Sequence, residues 1–237
     1  MMLSQEMTLL TVTAAFLGFF HTLLGPDHYL PFVVMARARR WSQAKTAWIT
    51  FLCGLGHIGS SVILGLAGIA LGITVTRLEG IEAVRGDIAA WALIAFGLVY
   101  FAWGLRKAGR SRPHEHVHIH EDSVPHIHRH IHETDHAHVH DGNARITPWV
   151  LFTIFVLGPC EPLIPVLMYP AAKESLSGLL WVTGVFGGVT ILTMMGIVLV
   201  SMRGMSLIPL KGLERYTHAL AGGTICLCGI AIQFFGL

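Results

Sequence analysis

Apolar residues occur along this chain in six long blocks, at residues 7–36, 46–72, 88–105, 147–172, 175–202 and 217–237. A membrane-crossing helix needs about 20 mostly apolar residues, so each block has the length of a span. Two blocks carry internal breaks. The first is interrupted by Gly25-Pro26-Asp27-His28 and Pro31, the fourth by Gly158-Pro159-Cys160-Glu161-Pro162 and Pro165. Proline removes a backbone donor and clashes with the preceding turn, so helices 1 and 4 are expected to break at these Gly-Pro motifs. A straight first helix would be roughly 45 Å long, more than the ~30 Å hydrocarbon core. At the ends, Asp87 is expected to cap the third helix, and Thr147-Pro148 reads as an N-cap followed by proline at the first helical position. The expected fold class is an all-α membrane protein of six transmembrane helices.

Composition agrees with this pattern. The 237 residues are 53% hydrophobic and 13% charged, against about 25% charged in soluble domains. The four cysteines, Cys53, Cys160, Cys226 and Cys228, all fall inside apolar blocks, and no disulfide framework can be read from them. No basic stretch precedes the first block, so it is expected to remain as a span rather than leave as a signal peptide. Thirteen of the sixteen Lys and Arg residues follow the first, third and fifth blocks; the other three are Arg77, Arg85 and Lys173. Basic loops stay in the cytoplasm. Both termini are therefore expected outside a bacterial inner (plasma) membrane, with the long loop after the third span inside.

The chain also repeats itself. At an offset of 133 residues, Leu24-Gly25-Pro26 falls on Leu157-Gly158-Pro159, and Trp48-Ile49-Thr50 on Trp181-Val182-Thr183. With one residue deleted, Phe96-Gly97-Leu98 falls on Cys228-Gly229-Ile230. Three spans per copy force the second copy into the membrane upside down, the inverted-repeat plan of secondary transporters. The organisation expected is a first repeat at 1–106, a cytoplasmic histidine-rich loop at 107–146 and a second, inverted repeat at 147–237.

Ionisable residues gather at the breaks: His21, Asp27 and His28 at the first, Glu161 beside Cys160 at the second. His57 lies in the middle of the second block. A carboxylate at the bilayer centre costs roughly 2.5–3.5 kcal/mol, so two retained at repeat-related breaks imply a compensating cation. Imidazoles with carboxylates and a nearby thiol suit borderline divalent metals. The candidate metal ligands are thus His21, Asp27, His28, His57, Cys160 and Glu161. A single membrane histidine often serves only as an interhelical hydrogen-bond partner, so His57 carries this reading only together with the others. Cys226 and Cys228 point to different faces of a helix and read as packing residues, as do Met194 and Met195.

The loop holds eleven of the fifteen histidines, mostly as His-x-His: His114, His116, His118, His120, His126, His128, His130, His132, His136, His138 and His140. Interleaved acids and low hydrophobicity argue for a flexible segment without a fixed core, and the histidines for loose metal binding.

His21-Thr22-Leu23-Leu24-Gly25-Pro26-Asp27-His28, followed by Gly54-Leu55-Gly56-His57, resembles the nickel/cobalt transporter (NicO) superfamily, and within it the urease-accessory UreH-like branch. The likeness extends over essentially the whole chain. It implies nickel or cobalt as cargo. The His21–Asp27 spacer is one residue longer than in the best-characterised nickel permeases, and Gly158-Pro159-Cys160-Glu161-Pro162 differs from their second motif.

The function expected is secondary transport of a divalent transition-metal ion, Ni²⁺ or Co²⁺ first and Zn²⁺ or Fe²⁺ in the wider set, with no tightly bound cofactor and no enzymatic activity. The partners expected are the lipid bilayer, the metal ion and a cytoplasmic metallochaperone, with no nucleic acid. No Gly-x-x-x-x-Gly-Lys-Ser/Thr loop is present to bind nucleotide. The alternatives are a sulfite or small-anion exporter, since opposed helix N-termini can hold anions, and a thiol redox relay through Cys160. The relay lacks a second cysteine, because Asp27 occupies the position related to Cys160.

Overall fold

The computed structural model describes residues 2–110, 114–118, 126–130, 142–172, 175–206 and 213–236. Helix α1 (Met2–Leu24) leads through a 3₁₀ turn (Pro26–His28) into α2 (Leu30–Arg39); α3 (Gln43–Ala70) and α4 (Val75–Arg110) follow. Two short strands, β1 (His114–His118) and β2 (His126–His130), precede α5 (Gly142–Leu157), α6 (Leu163–Ala172), α7 (Leu176–Ser206) and α8 (Thr217–Phe235). Among the described residues, five helices are long and apolar enough to cross a membrane: α1, α3, α4, α7 and α8. Large apolar side chains stand exposed along them, including Phe16, Ile63, Trp91, Val99, Leu192 and Leu227. A soluble protein rarely exposes so much apolar surface, and lipid is the medium that covers it. The membrane-embedded part is all helical, and the protein is a multi-pass membrane protein.

The fourth apolar block, like the first, is not one helix. It is split into α5 and α6 by the turn at Gly158–Pro162, as α1 and α2 are split at Gly25–His28. Both breaks fall at the Gly-Pro motifs, where the missing proline N–H makes an uninterrupted ladder impossible.

Three expectations need correction. Asp87 does not cap a helix: α4 starts twelve residues earlier, at Val75, and Asp87 lies within it. Charged residues at 77, 79, 82 and 85 hide this part of α4 from a hydropathy reading. Nor does Thr147-Pro148 open its helix, since α5 begins at Gly142 and carries Pro148 inside it; Thr147 instead accepts a hydrogen bond from the Arg39 guanidinium at 2.9 Å. The stretch expected as an unstructured loop contains a backbone ladder. β1 and β2 pair antiparallel, with His114 opposite His130, His116 opposite His128 and His118 opposite His126. His120, His132, His136, His138 and His140 lie outside the described residues.

Helix pairing is set by small residues. A Cβ on Gly97 of α4 would stand 2.4 Å from the Cys226 nitrogen of α8, and one on Gly222 of α8 would stand 2.3 Å from the Phe101 nitrogen of α4. Gly104 and Gly229 make the same backbone-close contacts one step along each helix. Without a hydrophobic force between helices in lipid, such close approach supplies the packing. Elsewhere α1 lies against α7 and α5 against α3. Cys226 and Cys228 are buried on α8 and Met194 on α7, while Met195 is half-buried.

Candidate metal centre

Three imidazoles converge where the first break meets α3. His21 ends the last turn of α1, His28 sits in the 3₁₀ turn, and His57 projects from the middle of α3. The His21–His28, His28–His57 and His21–His57 ring centroids are 4.7, 5.1 and 6.4 Å apart. One nitrogen from each ring lies within 4.8 Å of the other two. The 3₁₀ turn achieves this convergence. It interrupts the helix just past His21, with the His28 amide bonded to the Gly25 carbonyl at 3.1 Å. Gly25 has no room for a side chain, because a Cβ there would stand 2.6 Å from His28 Nδ1. Gly56 and Gly54, beside His57, let α5 and α7 approach α3: Cβ atoms on them would meet Val156 and Ile191.

The hydrogen bonds define which nitrogen is free in the His28 and His57 rings. His28 Nδ1 lies 3.0 Å from Asp27 Oδ1 and 3.2 Å from the Gly25 carbonyl. His57 Nδ1 lies 3.3 Å from the Phe155 carbonyl. These partners only accept, so each Nδ1 carries the proton and each Nε2 presents a lone pair in the neutral ring. The Nε2 atoms of His21, His28 and His57 are all buried and have no hydrogen-bond partner. A buried polar atom left unpaired costs about 1–3 kcal/mol, and three in one place call for a ligand. A metal ion fits. One nitrogen from each ring lies within 4.8 Å of the others, and Nδ1 of His28 and of His57 is held by a carboxylate or a carbonyl, the usual arrangement behind metal-binding histidines. Ligand nitrogens at about 2.0–2.1 Å from an ion lie roughly 3–3.5 Å from each other, a small side-chain adjustment from the described spacing.

The centre opens on a cavity of about 600 Å³ bounded by the first break, α3, α4, the end of α5 and the C-terminal part of α8. Asp27, Asp87 and Glu161 line it together with the three histidines, and among the described residues no Lys or Arg does. Glu161 therefore faces the same space as Asp27 without joining the imidazole cluster. Asp27 holds His28 from behind, which makes it an orienting carboxylate in this geometry rather than a ligand.

Cys160 does not share that space. It is fully buried in an apolar cluster with Ala14, Ile58, Leu163 and Phe186, and the cavity lining does not include it. A thiol ligand is not part of this centre.

Two features escaped the sequence reading. Asp87 was hidden by its assignment as a cap. Glu82 and Arg85 form an ion pair against the second break, and their Glu-x-x-Arg spacing on a helix was the available signal. His218, at the start of α8, bonds the Tyr100 hydroxyl at 2.9 Å and lies 3.2 Å from Lys107 Nζ, far along α8 from the cavity.

The fold and the centre together define a multi-pass helical membrane protein with a buried three-histidine cluster able to hold a metal ion. No protein-family model matches the chain, and no curated protein or solved structure matches it either.

Proposed function

We propose that this chain is a secondary transporter of a divalent first-row transition-metal ion, with nickel and cobalt the foremost cargoes. The observation that carries the proposal is the set of three buried, unpartnered Nε2 atoms at the first helix break. Imidazole donors suit these metals, whereas an all-oxygen site would suit magnesium or calcium. Asp27, Asp87 and Glu161 make the approach electronegative, which favours cations and disfavours sulfite or another small anion. A thiol relay has no support from Cys160, whose sulfur lies in an apolar cluster.

The arrangement as two inverted three-helix repeats belongs to the same proposal. α1 against α7 and α5 against α3 are the same contact exchanged between halves, and Gly97 and Gly229, matched by the repeat, make equivalent close contacts on α4 and α8. In such a transporter the ion sits at a discontinuous helix between the halves. His21, His28 and His57 bind the ion, Asp27 fixes the His28 ring, and Glu161 and Asp87 attract the hydrated ion. Placement in a bacterial inner membrane with the histidine-rich loop in the cytoplasm, and capture of ions by that loop, complete the proposal.

The test is flux of Ni²⁺, Co²⁺ and Zn²⁺ into proteoliposomes, with and without a pH gradient. Uptake by the wild type that disappears in His28→Ala supports the proposal; equal flux through both proteins and through protein-free liposomes sinks it.

A further inference from the structure

The second break is held differently from the first. Glu82 is completely buried on α4, and Arg85, one turn on, pairs with it. The Arg85 guanidinium also donates to the Val156 carbonyl at 2.8 Å, to the Gly158 carbonyl at 3.3 Å and to Ser60 Oγ at 2.7 Å. The other Glu82 oxygen accepts from the Cys160 amide at 3.2 Å and from Ser61 Oγ at 3.3 Å. One residue further along α4, Gly86 leaves room for Pro159; a Cβ there would stand 2.9 Å from the proline ring.

The polarity of this arrangement matches the break. The last carbonyls of α5 are orphaned and partially negative, and the amides leading into α6 are orphaned and partially positive. Arg85 meets the first and Glu82 the second. Broken backbone inside a membrane protein must be satisfied by protein groups or water, and here a single ion pair satisfies both sides. A guanidinium suits the task, since its planar fork reaches two carbonyls and a carboxylate at once.

The same short stretch serves the metal centre. The Phe155 carbonyl, which fixes the His57 ring, is one residue from the Val156 carbonyl held by Arg85. Glu161 follows the Cys160 amide held by Glu82. We propose that the Glu82–Arg85 pair is a positioning device for the metal site: a tethered cation and anion that lock the second break so that Phe155 orients His57 and Glu161 faces the cavity. The link to metal rests on the transport reading above; the lock itself does not.

The experiment uses the full-length chain in detergent or nanodiscs. Two quantities are read: Co²⁺ affinity by titration, and alkylation of the buried Cys160 by N-ethylmaleimide with peptide mapping. Arg85→Ala is expected to bind Co²⁺ roughly 10- to 100-fold more weakly, the range for loss of an outer-shell partner. It should also expose Cys160 to alkylation. Added guanidinium ion, well below denaturing concentration, should reverse both effects by refilling the space, while Arg77→Ala, an exposed change on the same helix, should alter neither. Wild-type affinity with a protected Cys160 in Arg85→Ala overturns the inference, as does a loss that guanidinium leaves unchanged. If wild type binds no Co²⁺, the metal reading fails while the alkylation arm still decides the lock. Should Arg85→Ala not fold, Arg85→Lys keeps the charge without the fork; intermediate Cys160 alkylation supports the inference and wild-type behaviour in both readouts overturns it.

Discussion

His57 Nδ1 donates to the Phe155 carbonyl across the interface of α3 and α5, at 3.3 Å. The bond joins the centre of one spanning helix to the last turn before the second break. It engages one ring nitrogen and leaves His57 Nε2 buried and unpaired in the cluster with His21 and His28. One histidine of the cluster is therefore aimed by the other half of the chain.

Replacing His28 or His57 by alanine removes one of three converging lone pairs. Co²⁺ titration should show at least a 100-fold loss of affinity for either variant, with unchanged helical circular dichroism. Wild-type affinity in both variants would show that the ion binds elsewhere.

Asp27→Asn has a smaller expected effect. The amide can still accept from His28 Nδ1, but without the negative charge that strengthens ligation. Loss of such a partner costs about 10- to 100-fold in affinity. Titrating the two variants side by side should rank Asp27→Asn between wild type and His28→Ala. An Asp27→Asn loss as large as that of His28→Ala would instead make Asp27 a direct ligand.

The loop histidines should add capacity rather than the principal site. Changing the six histidines of β1 and β2 to serine is expected to lower the number of weakly bound Co²⁺ ions while leaving the tightest step within about threefold. Disappearance of the tightest step would relocate the principal site to the loop.

Packing of α4 on α8 leaves no space at Gly97. Gly97→Leu forces the backbones apart, and overpacking of this kind costs typically 1–3 kcal/mol. The thermal midpoint in detergent should drop and the monodisperse fraction shrink. Gly59→Leu, where a Cβ meets nothing within 4 Å, is the matched control.

Much of this protein is legible along the chain, because lipid imposes a simple local rule. A span must be long and apolar and must bond its own backbone, so blocks of sequence announce helices. Gly-Pro inside a block announces a break, since no tertiary contact can restore the missing donor. The same rule makes ionisable residues conspicuous, which is why His21, Asp27, His28 and His57 stand out. It fails at the start of α4. Glu82 and Arg85 read as loop charges there, because burial against a broken backbone depends on what packs opposite and not on neighbours in sequence.

Roles within the site were decided only by folding in three dimensions. Chemistry alone nominated Cys160 and Asp27 alongside the histidines. The packed chain turns the Cys160 side chain into an apolar cluster and sets Asp27 behind His28, because the direction of a side chain leaving a turn follows from backbone geometry at that turn. Residue type specifies which atoms can bind a metal, whereas convergence of three lone pairs from α1, the 3₁₀ turn and α3 requires all three to be held at once.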